Sequence, residues 1–425
     1  MCGIVGLLGN GSLDDAISMA SAIGHRGPDG SGDFHSYVDN TGCSVAFSHA
    51  RLSIIDLGGS HQPIHSDHGC VMVANGEIYN HKEIKSELQD YPFRTAGDSE
   101  TILALHRAYA WGCKSGDNPA QRHVEWISKL DGMWGFSIWD PSVNELILCR
   151  DPFGIKPLVR TQLSDGTLLF GSEVKAFRGH SDFSAKPDVT ALAVRLAYEY
   201  PLDQTTLFLD VTSVGIGTIE TWSIVEGKAT LTGVARYWKP QVNPSDNWNP
   251  SNNASQLLRS LRDSIQDRLM ADVPVGIVLS GGLDSSLMAA LAHDAADSVG
   301  KPTPECWTVA DSEDNVDLLA SIMVTENQDL GHHIHIMDEN TMWKELPNFV
   351  WNGEDLDITV MFWQSVFQQM KGNVTVALCG QGADELHAGY SRYRNLSRHS
   401  KMINSRLKLS GQISISYKDR GLGKP

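Results

Sequence analysis

The chain lacks the features of a disulfide-bonded or metal-bound scaffold. Its seven cysteines are scattered along 425 residues, their number is odd, and no two form a C-x-x-C pair. This pattern argues against a disulfide framework and against a zinc site. No apolar run reaches the roughly 20 residues that span a bilayer. The N-terminal apolar stretch is short, broken by glycine and not preceded by a basic segment, so we expect no signal peptide and a cytoplasmic location.

Positive charge is also scarce. The chain has 34 Lys and Arg against 51 Asp and Glu, a net charge of −17 at pH 7, which disfavours nucleic acid as a partner. Residues 391–425 are the exception, because they carry nine Lys or Arg against the single Asp419. This basic tail could contact phosphates, but we interpret it as a solvated or poorly ordered end.

The length of the chain and the change in residue pattern along it predict two domains. A 425-residue chain with 41% hydrophobic and 20% charged residues is too long for one ordinary core and has a globular composition. The first half has short alternating segments typical of antiparallel strands, with helical pieces between them; the strands are predicted at residues 70–74, 135–139, 146–149 and 168–170, and a helix at 99–111. Residues 239–253, rich in Pro, Asn and Ser, are predicted to be a linker or surface loop.

The second half has the pattern of a parallel sheet. Apolar residues recur at helical spacing from Leu257 to Leu269, and the continuous apolar run 274–279 is typical of a buried parallel strand. A Gly-rich turn at 280–286 follows, and we predict that a helix resumes at Leu287. A second strand and Gly-rich turn occupy residues 375–385. This succession predicts a doubly wound α/β nucleotide domain.

The turn at 280–286 has the residues of an anion site but not of a Walker A loop, because it lacks the Gly-Lys-Ser/Thr ending. Its backbone N–H groups, with the hydroxyls of Ser280, Ser285 and Ser286, suit an anion at a helix N-terminus. Asp284 would repel that anion unless a cation intervened, which predicts Mg²⁺ bound to phosphate. Asp384 and Glu385 follow the second Gly-rich turn and offer further carboxylates.

The second residue is a candidate nucleophile. Met1 is removable before a side chain as small as Cys2, and its removal would leave the thiol beside a free α-amine. Such an amine can serve as the local general base, and the thiolate is the attacking species.

Several motifs occur in an order that resembles class II (N-terminal nucleophile) glutamine amidotransferases. They lie at residues 2–6, 25–29, 48–56, 75–81, 97–100, 150–157 and 170–176. Together with SGGLDSS at 280–286 and the Gly-Ala-Asp-Glu run at 382–385, they resemble glutamine-hydrolysing asparagine synthetases of the B type. The resemblance extends to about Tyr393.

The resemblance implies both the fold and its division. Residues 2–205 would form an Ntn-type αββα glutaminase domain, and 206–253 connecting strands and a linker. Residues 254–393 would form a PP-loop ATP-binding domain, doubly wound and apparently truncated, with 394–425 as the basic tail. A homodimer is possible, because dimers are common in the family.

The resemblance also implies roles in glutamine hydrolysis. Cys2 would attack the side-chain amide while its α-amine shuttles the proton, and Asn75 and Gly76 would form the oxyanion hole. Arg51 would clamp the α-carboxylate, and Glu77 and Asp98 would receive the α-ammonium. The implied glutamine-binding set is Arg51, Leu52, Ser53, Ile54, Ile55, Asn75, Gly76, Glu77 and Asp98.

In the second domain the resemblance implies ATP-dependent amide formation. Ammonia would pass inside the protein and attack an acyl-adenylate, usually that of aspartate, giving amide and AMP after pyrophosphate release. Asp284 and Asp384 would hold Mg²⁺. The implied ATP-binding set is Leu279, Ser280, Gly281, Gly282, Asp284, Ser285, Val309, Cys379 and Gly380.

Four departures from the family pattern leave alternatives open. Gln381 stands where the family has a Glu that is a candidate proton acceptor, a role its neutral amide cannot take. His387 and Ala388 replace the usual Phe-Gly, and Ala310 a common Gly. Beyond Tyr393 the resemblance ends, although family members continue with further helices. The alternatives are an amidotransferase for a different carboxylate, such as a natural-product precursor, and a glutaminase-only or inactive truncated relative.

Overall fold

The structure is a computed structural model that describes residues 1–38, 40–113, 116–198, 200–240, 249–355, 357 and 361–409. The chain divides into two compact units. Unit 1 comprises Met1–Ala191 and Pro201–Val242, and unit 2 comprises Leu192–Tyr200 and Asn243–Pro425. Among the described residues, no helix is both long and apolar enough to cross a membrane.

Unit 1 contains twelve described strands, four complete helices and the first three residues of a fifth helix, α5, whose remaining residues belong to unit 2. The strands are β1 (Gly3–Gly9), β2 (Gly30–Tyr37), β3 (Ser44–Arg51), β4 (Ile64–His65), β5 (Val71–Ile78), β6 (Gly132–Asp140), β7 (Glu145–Arg150), β8 (Val159–Gln162), β9 (Leu168–Gly171), β10 (Val211–Ser213), β11 (Thr218–Val225) and β12 (Lys228–Arg236). The helices are α1 (Leu13–Ser21), α2 (His81–Glu87), α3 (Glu100–Tyr109), α4 (Val124–Ile127) and α5 (Val189–Tyr198). Short 3₁₀ helices cover Gly24–Arg26, Pro119–His123 and Val174–Gly179.

The strands of unit 1 form two six-stranded antiparallel sheets. Their orders are β10-β8-β9-β1-β3-β2 and β12-β11-β7-β6-β5-β4. Successive side chains of a strand point to opposite faces. In β1, Ile4 and Leu8 therefore enter the core between the sheets, while Val5 packs with Met19 of α1 on the outer face.

Helices cover the outer faces of both sheets. On the second sheet, Phe136 of β6 packs with Ile102 and Leu105 of α3 and with Trp126 of α4. The layer order is thus helix, sheet, sheet, helix, and the predicted αββα sandwich is confirmed. The strands predicted from the alternating pattern correspond to β5, β6, β7 and β9. Alternate side chains of each strand point to opposite faces of the sheet, and both faces are buried.

Unit 2 is built on a parallel sheet of order β15-β14-β13-β16. Its strands are β13 (Val275–Val278), β14 (Glu305–Ala310), β15 (His332–Ile336) and β16 (Val376–Leu378). The helices that lie in it are α6 (Pro250–Arg268), α7 (Leu283–Val299), α8 (Val316–Gln328), α9 (Glu339–Gly353), α10 (Met361–Met370), α11 (Ala383–His387) and α12 (Leu396–Leu409), with a 3₁₀ turn at Ser391–Asn395.

Helices lie on both faces of this sheet, which confirms the predicted doubly wound architecture. On one face, Ile277 packs with Ile265 of α6 and Ala289 of α7. On the other, Trp307 packs with Val366 of α10. The β13 strand is hydrogen-bonded in parallel on both sides, which explains its continuous apolar sequence.

Three local boundaries differ from the sequence expectations. Helix α7 begins at Leu283 rather than Leu287, because Gly282 takes the N-cap position. Helix α6 begins at Pro250, inside the predicted linker, with the Asn249 side chain capping it; residues 241–248 of that linker lie outside the described residues. Helix α12 occupies part of the predicted tail, of which residues 410–425 lie outside the described residues.

Candidate active sites

Cys2 immediately precedes β1, an inner strand of the first sheet. Since β1 and β3 are antiparallel with Gly3 opposite Ala50, Cys2 lies beside the end of β3 and the segment after it. The Leu52 N–H donates to Cys2 Sγ at 3.4 Å, and Sγ is 3.5 Å from the Leu52 carbonyl oxygen. Burial raises the pKa of the Cys2 thiol, and the Leu52 N–H opposes that rise.

The backbone of Cys2 is held by a buried ion-pair network. Arg26 Nε donates to the Cys2 carbonyl oxygen at 2.9 Å, and another guanidinium nitrogen donates to Glu173 Oε1 at 2.6 Å. Lys175 and His25 contact the same Glu173 carboxylate. Motifs that are distant in sequence therefore meet behind Cys2, and Glu173 orients Arg26.

Glu173→Gln is expected to lower the free energy of unfolding at pH 7 by about 3 kcal/mol. Burial raises the pKa of Glu173, but the His25 hydrogen bond and the charges of Arg26 and Lys175 outweigh it and lower the pKa from 4.5 to about 2. A depressed carboxyl pKa stabilises the fold above 4.5, and this stabilisation is lost as pH falls toward 2. Urea unfolding should therefore show a wild-type advantage that shrinks steadily below pH 4.5.

The control for this measurement is Glu83→Gln, which alters an exposed carboxylate on α2. It should leave the free energy of unfolding nearly unchanged, since exposed charges contribute little. Equal stability losses for both variants at pH 7, or a loss in the Glu173 variant that does not depend on pH, would contradict the role of this network.

Asn75 and Gly76 lie on β5 in the second sheet. The Asn75 side chain is 1% exposed, and its Nδ2 has no hydrogen-bond partner in the described part of the structure. A buried amide donor without an acceptor is costly, and here it suits a ligand oxygen. A Cβ at Gly76 would lie 2.3 Å from the Met133 carbonyl oxygen, so the close packing of β5 on β6 requires glycine there.

Asn75→Ala is expected to lower kcat for glutamine hydrolysis by about 10²–10³-fold, as the loss of one oxyanion donor does. The KM for glutamine should change little, because the donor acts on charge that develops in the transition state. Thermal stability should be kept or raised, since the deleted Nδ2 makes no bond in the described structure. Steady-state kinetics and thermal unfolding test both statements.

Asn118→Ala is the matched control. Asn118 lies in the same unit, but its side chain donates to the Val234 carbonyl at 2.9 Å and caps a 3₁₀ helix at Ala120. We expect this variant to lose roughly 1 kcal/mol of stability and to keep its activity. If Asn75→Ala behaved like Asn118→Ala, Asn75 would be a structural residue.

Arg51 is the last residue of β3 and is 6% exposed. Its two terminal nitrogens donate to the carbonyl oxygens of Asp56 and Leu57 at 2.8 and 3.1 Å, so the segment after β3 folds back over the guanidinium. Ser53 faces away, with its N–H donating to Asp29 at 2.8 Å. Arg51, the residue predicted to bind a carboxylate, thus lies close to Cys2. Ser53 is not among the residues that line the cavity described below.

Two carboxylates, the buried Asp98 and the partly buried Glu77, line the same cavity. Asp98 accepts a hydrogen bond from the Ile78 N–H at 2.7 Å, which ties the start of α3 to the end of β5. Burial raises the pKa of Asp98, and burial together with the charge of Asp98 raises the pKa of Glu77. A ligand cation between them would relieve this repulsion.

Most of the predicted glutamine set lines one small cavity, but Asn75 and Ser53 are not among its lining residues. Its wall is formed by Cys2, His49, Arg51, Leu52, Ile54, Ile55, Ser60, Gln62, Ala74, Gly76, Glu77, Asp98 and Ser99. Its volume is about 40 Å³, close to that of one water molecule.

Sequence reasoning missed several wall residues. His49 is buried and its ring nitrogens have no hydrogen-bond partner among the described residues, and burial lowers its pKa to about 4. The Gln62 side chain forms reciprocal bonds with the backbone of Ala74. His49 lies within the motif at residues 48–56, so the sequence contained a signal for it. Gln62 lies in none of the motifs, and no local pattern identifies it.

The second site lies in unit 2 where β13 leads into α7. Ser280 Oγ and Ser285 Oγ are 2.9 Å apart, and Ser285 Oγ also donates to the Gly282 carbonyl at 3.2 Å. These bonds fold the turn so that its N–H groups precede the helix, the arrangement that binds phosphate. Gly281 has φ +78°, and a Cβ there would lie 2.2 Å from the Asp317 carbonyl oxygen, so glycine is required.

The turn after β16 lies directly against this one. A Cβ on Gly380 would approach the Ser285 nitrogen to 3.0 Å, so the two turns touch through backbone. Asp284 and Asp384 both line the cavity that results, which has a volume of about 330 Å³. The residues around it are Val278, Leu279, Ser280, Gly282, Asp284, Ser285, Val309, Trp363, Val366, Gly380, Gln381 and Asp384.

This cavity gathers most of the predicted ATP set. Gly281 and Cys379 are not among its lining residues; Gly281 shapes the turn, and Cys379 is exposed. Sequence reasoning missed Trp363 and Val366 of α10, which carry no motif and reach the cavity only because α10 covers this face of the sheet. Ser286 Oγ is buried without a hydrogen-bond partner in the part of the chain described, as suits a ligand contact.

Two family models match different parts of the chain. The sequence model of the glutamine amidotransferase domain matches residues 1–238. The chain belongs to the glutamine amidotransferase family. The asparagine synthase model matches residues 256–420, so the resemblance drawn from the motifs is confirmed.

Individual relatives cover nearly the whole chain. Glutamine-hydrolysing asparagine synthetase 1 of Bacillus subtilis is 32% identical over 93% of this chain and 60% of its own length. Asparagine synthetase 2 of Oryza sativa is 31% identical over 92% and 60%, and the amidase chyE of Penicillium rubens is 29% identical over 90% and 56%. The chain thus spans about three fifths of the length of these relatives.

Proposed function

We propose that this amidotransferase is a glutamine-dependent, ATP-using C–N ligase of the asparagine synthetase type. The observation that carries the proposal is the presence of two separately built sites in one chain. One is the cavity that Cys2 lines together with Arg51, Glu77 and Asp98. The other holds Asp284 and Asp384 on one cavity beside a phosphate-type turn. A glutaminase would need only the first site and an ATP-binding protein only the second, whereas a glutamine-dependent ligase needs both.

In the first reaction Cys2 attacks the side-chain amide carbon of glutamine. Asn75 Nδ2 and the Gly76 backbone stabilise the oxyanion, ammonia leaves with the transferred proton, and water hydrolyses the resulting thioester to glutamate. Burial lowers the pKa of the α-amine, here on Met1, to about 6, so an amine in this pocket is a free base near neutral pH. Met1 removal would place that base on Cys2.

Substrate recognition in this site follows from charge. Arg51 supplies the guanidinium for the α-carboxylate, while Glu77 and Asp98 supply the anionic side for the α-ammonium. Because the pKa of Glu77 is raised in the empty site, ammonium binding favours its ionised form. The affinity for glutamine is therefore expected to rise with pH as Glu77 loses its proton.

In the second reaction the acceptor carboxylate attacks the α-phosphorus of ATP, which gives an acyl-adenylate and pyrophosphate. Ammonia then attacks the acyl carbon, and AMP leaves. The turn at 280–286 binds the phosphates through backbone N–H groups and serine hydroxyls. Gly380 permits the close approach of the second turn.

The residues of this cavity fit Mg²⁺. Two carboxylates, Asp284 and Asp384, line it together with hydroxyl and backbone groups, and no Lys or Arg is among its lining residues. One or two carboxylates plus substrate phosphates are the usual Mg²⁺ ligands. Asp284 and Asp384 would hold the ion, which would neutralise charge on the phosphates.

Aspartate is the proposed acceptor, and a different carboxylate is the second candidate. Gln381 favours the second candidate because it lines the cavity at the position where a Glu was expected to accept a proton. A neutral amide there removes that function.

The test is a product assay with glutamine, with and without ATP, Mg²⁺ and aspartate. Equal amounts of glutamate, asparagine and AMP support the proposal. AMP formed only with another carboxylate from a screen supports the second acceptor. Glutamate alone, unaffected by ATP and any carboxylate, would restrict the chain to glutaminase activity. A cytoplasmic location and a homodimer remain predictions.

A further inference from the structure

One edge of β5 lies beside the cavity that Cys2 lines. The backbone N–H and C=O groups of successive strand residues point to opposite sides of the strand. The Ser66 N–H donates to the carbonyl of Cys70, the residue before β5, at 2.9 Å, so even-numbered residues direct these groups toward β4. Since β4 pairs with β5 only as far as Met72, three even positions of β5 lie beyond β4. They are Ala74, Gly76 and Ile78.

Side chains occupy the first and the last of these three positions. Gln62 Nε2 donates to the Ala74 carbonyl oxygen at 3.0 Å, and the Ala74 N–H donates to Gln62 Oε1 at 2.6 Å. At the other end, the Ile78 N–H donates to Asp98 at 2.7 Å. These two side chains make the hydrogen bonds that a neighbouring strand would otherwise make, so the ends of this edge are satisfied.

Gly76 lies between the two covered positions. Its partner on β6 is Trp134, whose carbonyl accepts from the Asp151 N–H at 2.8 Å and therefore points away from β5. Among the described residues, no hydrogen bond reaches the Gly76 N–H or C=O. These two groups point toward the cavity, and the wall of that cavity contains every residue of this edge arrangement except Ile78: Gln62, Ala74, Gly76 and Asp98.

The Gln62–Ala74 pair shows how a carboxamide binds to this strand edge. The carboxamide oxygen accepts from a backbone N–H, and its NH₂ group donates to the C=O of the same residue. Gly76 offers the same two groups two residues along the strand, roughly 6–7 Å away. The side chain of a glutamine substrate carries the same carboxamide and can make the same pair of contacts at Gly76.

We propose that Gln62 is a positioning residue for glutamine hydrolysis. It fixes one end of the exposed stretch of β5, and Asp98 fixes the other, so that Gly76 is held between them. This inference rests on the proposed function, in which the Gly76 backbone stabilises the oxyanion. Gln62 acts through the backbone of β5 and not on the reacting atoms. Because an oxyanion donor must be aimed at charge that develops in the transition state, displacement of β5 lowers the rate more than the affinity.

The test is steady-state glutamine hydrolysis by Gln62→Met in the full chain. Methionine keeps a side chain of similar length but removes both hydrogen bonds to Ala74. We expect kcat to fall by about 10- to 100-fold, the scale of a misplacement of about 1 Å. The KM for glutamine should change by less than about threefold, because ground-state binding by the rest of the cavity is retained.

Gln162→Met is the matched control. Gln162 lies on β8 of the same unit, its side chain donates to the carbonyls of Gly166 and Ala229 at 3.1 and 2.5 Å, and it is not among the lining residues of the cavity. It should keep the wild-type kcat and KM. Wild-type kinetics of Gln62→Met, or equal kinetic changes in both variants, would overturn the positioning role. A wild-type chain that does not hydrolyse glutamine would instead contradict the proposed function.

Hydrogen exchange of single amides tests the same arrangement if Gln62→Met does not fold. In the chain without ligand, the Ala74 N–H should exchange at least about tenfold more slowly than the Gly76 N–H, since only the former is hydrogen-bonded. Saturating glutamine, added to Cys2→Ala so that it is not hydrolysed, should slow exchange at Gly76 and leave Ala74 unchanged. Equal exchange of both amides without ligand, or no slowing at Gly76 when glutamine is bound, would refute the inference.

Discussion

Cys2→Ala is expected to abolish glutamine hydrolysis, with a loss of at least about 10⁴-fold in kcat, the scale seen when a catalytic nucleophile is removed. The substitution deletes the one thiol that lines the cavity with Arg51, Glu77 and Asp98. The small change in volume should leave the fold intact, because Cys2 is only half-buried. Glutamate release, followed with and without ATP, measures the effect.

The same variant separates the two proposed reactions. If the chain is a synthetase, Cys2→Ala should still form amide and AMP when ammonia replaces glutamine, because the cavity of unit 2 is untouched. Cys113→Ala is the control, since Cys113 is an exposed cysteine of the same unit and should keep full activity. Residual glutaminase within about tenfold of wild type would eliminate Cys2 as the nucleophile.

Asp284→Asn is expected to lower ATP-dependent AMP and pyrophosphate formation by at least about 10²-fold, while glutaminase activity without ATP is retained. Asp284 lies in the first turn of α7 and lines the same cavity as Asp384. Removing its charge weakens the proposed Mg²⁺ site, and electrostatic stabilisation of transferring phosphates is a large share of catalysis. Pyrophosphate release across a Mg²⁺ titration measures it.

Asp317→Asn is the matched control, because Asp317 occupies the first turn of the neighbouring helix α8 and is not among the lining residues of the cavity. It should leave both activities unchanged. The Asp284 variant should also require more Mg²⁺ for half-maximal rate. Wild-type pyrophosphate release by Asp284→Asn, with the same Mg²⁺ requirement, would remove Asp284 from the metal site.

The amino-acid sequence determined the division into two units, the architecture of each sheet and most of the residues that line both cavities. Alternating segments located strands such as β6, and a continuous apolar run located β13, because the apolar pattern along the sequence distinguishes strands from helices and loops. The motifs also include Cys2, Glu77 and Asp98, which line one cavity, and Asp284 and Asp384, which line the other.

Only the tertiary structure decided which distant residues meet. Three arrangements have no signature in sequence spacing: the pairing of Arg26 with Glu173 beside Cys2, the position of Trp363 of α10 against the second cavity, and the burial of Cys70 beside His106 and Asp140. Each depends on sheet register and on the packing of a helix over a particular strand. These are long-range properties, set by the whole fold, whereas residue patterns report which face of a single element is buried.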